Sequence, residues 1–182
     1  EIWQKNSFAL AFDAVNENYL ELDNSGIWAT LGDIDLYLDF TITDTVDLAP
    51  FFSRSISSTD RIEFIAGVNG VLYVRIFSSG VQLASSTLSG VIVENQKQNI
   101  ELKNSKLYLD GVEVADYTAN SSSILSSGSE NIVMGSRSYQ NNFQNIRCYS
   151  LTVNNETFPL TVGLGNTITG SNGTVGTINT SA

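Results

Sequence analysis

The chain has 182 residues, 42% of them hydrophobic and 15% charged, with a formal net charge of −10. Only nine Lys and Arg are present to displace counterions, so the balance suits a self-sufficient folded core and excludes nucleic acid as a partner. The absence of histidine and the single Cys148 exclude an intramolecular disulfide, Ser-His-Asp and Cys-His catalysis, and any His-ligated zinc within this sequence.

Helical periodicity is nearly absent, while short alternating runs recur between turn signals. "SFALAFDAV" and "NYLELD" predict two strands joined through Asn16 and Glu17. In "DIDLYLDFTIT", Ile34, Leu36, Leu38 and Phe40 alternate with Asp33, Asp35, Tyr37 and Asp39. Strand side chains alternate between faces, so this stretch presents an apolar face to a core and an acidic, tyrosine-bearing face to water. A looser segment around Pro50 leads to "RIEFIAG" and "VLYVRIFSSG", a predicted hairpin turning at Asn69-Gly70.

"GVQLASSTL", "GVIVENQKQNIELK" and "KLYLDGVEVADYT" continue the pattern as strands. The last turns tightly at Asp110-Gly111, residues that tolerate positive φ. Beyond the Ser-rich "SSSILSSGSE" come "NIVMGS" and "NIRCYSLTV", with a further hairpin at Asn154-Asn155. Residues 163–182, rich in Gly and Thr, form a final edge strand or a tail. About a dozen short strands without an internal repeat predict a single domain over residues 1–182. The predicted fold class is all-β, an antiparallel two-sheet β-sandwich of jelly-roll type.

Four stretches carry a resemblance: the opening Phe12-Asp13-Ala14 through Tyr19, the hairpin Tyr108-Leu109-Asp110-Gly111, the strand "NIVMGS", and the closing Phe143 through Tyr149. In this order, over roughly residues 7 to 153, they resemble the laminin-G-like jelly rolls of the concanavalin A-like lectin and glucanase superfamily. Ala14 stands where the family pattern has Gly, and Gln144-Asn145 where it has a Gly-containing pair, so the chain resembles a divergent member. The resemblance implies the sandwich; it does not imply one activity, because the superfamily holds lectins, hydrolases, lyases and adhesion modules.

Glucanases of that superfamily carry an E-x-D-x-x-E strand, which neither "ELDNSG" nor "DIDLYLD" completes. Along a strand Asp35 and Asp39 lie about 13 Å apart, beyond the ~5–9.5 Å that glycosidase carboxyl pairs require. No catalytic residue is therefore assigned, and the expectation leans away from an enzyme. Calcium is the one cofactor left open, since hard oxygen ligands suit it, and no ligand set can be named.

The preferred reading is a non-catalytic recognition module for a glycan. In "VLYVRIF", Tyr73 and Arg75 share the face opposite Leu72, Val74 and Ile76. If both strands belong to one sheet, Asp35, Tyr37, Asp39, Tyr73 and Arg75 form a shallow groove of stacking platforms and hydrogen-bonding groups. Trp3 and Trp28 are further stacking candidates, with core packing as the alternative for each. The rival readings are a polysaccharide hydrolase or lyase on the same fold, and a structural spacer in a surface fibre. The expected setting is extracellular, secreted or virion-surface, with Glu1 read as the start of a piece of a longer or processed chain that carries other modules. No apolar run reaches the ~18 residues of a membrane span, so no membrane insertion is expected.

Overall fold

The computed structural model describes residues 10–12, 14, 19–22, 28–46, 48–55, 59–125, 131–136, 143–160 and 167–179. Trp3 and the predicted Asn16-Glu17 turn lie outside them, as do residues 126–130 of the Ser-rich stretch and residues 137–142. The described strands are β1 (Leu10–Phe12), β2 (Tyr19–Leu22), β3 (Asp35–Asp44), β4 (Ala49–Ser55), β5 (Arg61–Gly67), β6 (Val71–Ser78), β7 (Val81–Leu88) and β8 (Gln98–Lys103). They continue as β9 (Lys106–Leu109), β10 (Val112–Asp116), β11 (Ile132–Met134), β12 (Asn145–Val153), β13 (Glu156–Pro159), β14 (Thr167–Thr169) and β15 (Val175–Asn179).

All the pairings are antiparallel and make two sheets. One runs β1-β12-β3-β8-β9-β10, with β13 also on β12; the other runs β14-β15-β2-β11-β4-β5-β6-β7. Packed face to face, they form the all-β jelly-roll sandwich that the alternation predicts. Parity holds from Ile34 into β3: Ile34, Leu36, Leu38 and Phe40 are all buried. From the other sheet, Leu72, Val74 and Ile76 of β6 enter the same core. Phe40 stacks on Phe51 at 4.8 Å between centroids, and Phe51 and Phe52 reach Phe64 at 6.1 and 5.3 Å. This aromatic run ties the sheets together.

The three predicted turns are present. Asn69, Asp110, Asn154 and Asn155 all have positive φ, as do Gly70 and Gly111. Ser79-Gly80 and Asn104-Ser105 turn the chain in the same way. Ser and Asn pairs are weaker signals than Asn-Gly, which is why sequence alone passes over them.

Two segments differ from expectation. Asp33 is not on the strand but in a 3-10 turn, Leu31–Asp33, where its Oδ2 accepts from the Thr30 backbone N–H (2.8 Å) and hydroxyl (2.9 Å). In "GVIVENQKQNIELK" the ladder begins only at Gln98. Val91 and Ile92 instead donate their N–H groups to the Gly70 carbonyl, both at 2.9 Å, so an apolar β-like run is held by a turn and not by a neighbouring strand. In the C-terminal segment, β14 and β15 continue the larger sheet, with Thr177 opposite Glu21.

Candidate functional site

Strand β3 lies in the seven-stranded sheet and β6 in the eight-stranded one. With the apolar side of each facing the shared core, their polar sides point in opposite directions. The predicted single groove of Asp35, Tyr37, Asp39, Tyr73 and Arg75 is therefore two separate faces. Parity along a strand gives inside and outside, but not which sheet the strand joins.

On the smaller sheet, Tyr37 donates its hydroxyl to Asp39 Oδ1 at 2.8 Å. The other oxygen, Asp39 Oδ2, accepts from Ser150 at 3.3 Å and pairs with Lys97 at 3.1 Å. Lys97 also sits 4.8 Å over the Tyr149 ring, and Tyr149 hydrogen-bonds Thr41 at 3.1 Å. Asp35 pairs with Lys103 at 3.3 Å. Burial, and then the hydrogen bond to Asp39, push the Tyr37 phenol up to about 12. Both carboxylates are thus occupied by neighbours, and Asp39 serves as the hub of a surface network. Among the described residues, no group of three His, Cys, Asp or Glu side chains is placed to hold a metal ion.

The outer face of the larger sheet is built differently. Register aligns Ser85, Arg75, Glu63, Ser53, Val133, Glu21 and Thr177 in one row from β7 to β15. At its centre Ser53, Glu63 and Val133 are buried, although they point away from the main core. Glu63 pairs with Arg61, Nε to Oε2 at 3.4 Å, and Arg61 lies 4.5 Å over the Phe77 ring. Arg75 lies 5.4 Å over the ring of Tyr73.

The cations separate into two kinds. Lys97, Lys103, Lys106 and Arg61 have carboxylate partners, and Arg54 is buried 5.4 Å over Trp28 with further contacts. Among the described residues, Arg75 and Arg147 have neither an ion pair nor a hydrogen bond. In a chain with 19 acidic and nine basic residues, an arginine left without a carboxylate is the less expected outcome. Arg75 therefore presents its fork of N–H donors to solvent, steadied by an aromatic ring.

Trp28 is core and not a stacking platform; it is 1% exposed. Arg61, Glu63 and Phe77 were legible by the same alternation that picks out Tyr73 and Arg75, since Ile62 and Phe64 take the opposite face in "RIEF". They pass unnoticed because a lone Arg-x-Glu on a strand reads as an ordinary ion pair.

No protein-family model and no curated protein matches the sequence. Among solved structures, the chain is similar to the galectin LEC-6 of Caenorhabditis elegans: 16% identity over 73% of this chain and 88% of that one, with a TM-score of 0.47. It is also similar to the CBM40 of the Ruminococcus gnavus IT-sialidase, solved bound to α2,3 sialyllactose. There the identity is 8% over 78% of this chain and 85% of that one, with a TM-score of 0.45. The sandwich described above rests on the strand registers themselves.

Proposed function

We propose that this domain is a non-catalytic carbohydrate-recognition module whose ligand lies against the outer face of β6 and β7. The observation that carries the reading is the guanidinium of Arg75 beside the Tyr73 ring, without an ion pair or hydrogen bond among the described residues. Sugars present an apolar ring face and a rim of hydroxyls. Tyr73 suits the first, and the Arg75 fork donates to oxygens of the second. Both stand on a central paired strand, so little order is lost on binding. Phe77 with Arg61 repeats the aromatic–guanidinium pairing four residues along β6 from Tyr73, and the exposed Ser85 and Thr87 add hydroxyls from β7.

Asp35, Tyr37 and Asp39 lie outside this site. They lie on the opposite sheet and are engaged with Lys103, Lys97 and Ser150. The four-stretch resemblance favours a laminin-G-like member of the concanavalin A-like superfamily. Composition favours an extracellular or virion-surface setting, with other modules of a longer protein as neighbours.

A glycan array followed by titration of the best hit tests the proposal. Binding by the native protein that Arg75→Ala and Tyr73→Ala each weaken about tenfold, as expected for the loss of a charged hydrogen bond or a stacking platform, supports it. A folded protein that binds no glycan on the array, or a hit that both variants bind unchanged, overturns it.

A further inference from the structure

The second arginine without an ion pair or hydrogen bond among the described residues, Arg147, stands on the other sheet and lines a cavity of about 410 Å³ where β1, β3 and β12 meet. We propose that this cavity is a second, independent binding site, for one neutral sugar ring.

A β-bulge shapes it. Asp44 pairs with Asn145 and Ile42 with Ile146, so Thr43 is the extra residue on β3. Bulges bend a strand and re-aim its side chains, and they are over-represented beside binding sites. Here the result is an open cavity at the sheet's end, bordered by exposed Ala11 and by the strand backbone at Phe12 and Ile146, whose side chains turn into the core. Its volume falls in the ~300–1,000 Å³ range of small-molecule sites.

The polar lining is mixed in a particular way. Asp44 offers only acceptors and Arg147 only donors, and neither has a partner among the described residues. They border one cavity with opposite charges, yet they do not pair with each other. Asn145 Oδ1 accepts the Ala14 N–H at 2.9 Å, which fixes the amide and leaves its NH₂ free to donate. Thr43 adds a hydroxyl that does both. A sugar hydroxyl donates once and accepts once, so a carboxylate facing a guanidinium and an amide matches vicinal hydroxyls on one ring. The two formal charges cancel, which selects a neutral ring over a uronic or sialic acid. Since this site and Arg75 lie on opposite faces, one domain would hold two glycans and bridge them.

The test is an amide-detected NMR titration of the whole chain with methyl glucoside, galactoside and mannoside, and with glucuronate and galacturonate. The expected result is saturable shifts at Asp44, the Asn145 side-chain NH₂ and Arg147 Nε with at least one neutral glycoside. Asp44→Asn and Arg147→Ala each weaken these about tenfold, the loss expected for a charged hydrogen bond, while Arg75→Ala leaves them unchanged. Both altered positions are exposed, and retained spectral dispersion shows that the variants are folded. Absence of shifts around the cavity with every neutral glycoside overturns the proposal. So do shifts that survive both cavity variants, or tighter binding of an acid than of its neutral parent. Shifts confined to β6 and β7 overturn this site while leaving the Arg75 reading standing, and shifts confined to the cavity do the reverse.

Discussion

The indole N–H of Trp28 donates to Asn154 Oδ1 at 2.8 Å, so a buried side chain before β3 anchors the turn between β12 and β13. Asn154 holds a left-handed conformation, φ 47°, while its side chain reaches back to the indole. Asn154→Gly relieves the backbone and removes the acceptor, with an expected cost of about 1–3 kcal/mol for a stranded buried donor. Trp28→Phe removes the donor instead. In urea unfolding the double variant should be less destabilised than the sum of the singles; strict additivity would show that the bond contributes nothing.

Arg75→Lys separates charge from geometry on the proposed glycan face. Lysine keeps the cation and loses the planar fork, so affinity should fall nearly as far as with alanine. Unfolding midpoints should hardly change, because Arg75 makes no ion pair or hydrogen bond among the described residues. Full binding by the lysine variant would make the site a point-charge contact and not a forked one.

Alkaline pH should loosen the smaller sheet through Tyr37. Its folded pKa, about 12, lies above the ordinary value of 10.0, so the native state holds the phenolic proton more tightly than the unfolded chain. The contribution is complete below pH 10 and is lost as pH rises from 10 to 12. Tyr37→Phe should flatten that part of the stability–pH curve measured by denaturant titration. Tyr19, Tyr117 and Cys148 are also raised, mainly by burial, and Lys106 by its hydrogen bond to Glu113, so a remaining slope belongs to these groups.

Cys148 is buried within β12, and burial pushes its thiol well above the usual value. An aromatic disulfide reagent should react only as fast as the sandwich opens, and adding denaturant should accelerate the reaction sharply. Rapid labelling without denaturant would mean that β12 opens locally.

Gly70 and Gly111 both have positive φ, 69° and 78°, but their surroundings differ. A methyl at Gly111 meets nothing within 4 Å, so Gly111→Ala should cost only the left-handed strain, roughly 1–2 kcal/mol. At Gly70 a methyl collides with the Ile92 carbonyl, while the Gly70 carbonyl itself accepts from Val91 and Ile92. Gly70→Ala should therefore have the lower melting temperature of the two. Equal losses would show that the 91–92 segment gives way freely.

The strands themselves were readable because their signals are local. Alternation placed Leu36, Leu38, Val74 and Ile76 in the core, and Asn-Gly, Asp-Gly and Asn-Asn marked three turns whose φ values need such residues. The same alternation misplaced Asp33, whose bond to Thr30 closes a tight turn, and it counted Val91 and Ile92 as strand. Those two β-formers found their acceptor in a turn more than twenty residues away.

What the sequence by itself determined is which side chains face water and which face apolar neighbours, since that depends only on a backbone period of two. What tertiary structure decided is which outward residues meet. Tyr37 and Tyr73 have the same parity, yet β3 pairs with β12 and β8 while β6 pairs with β5 and β7. Sheet membership depends on long-range registers, and no single strand carries that information. The meeting of Thr43, Asp44 and Arg147 depends likewise on one bulge between β3 and β12, strands about a hundred residues apart.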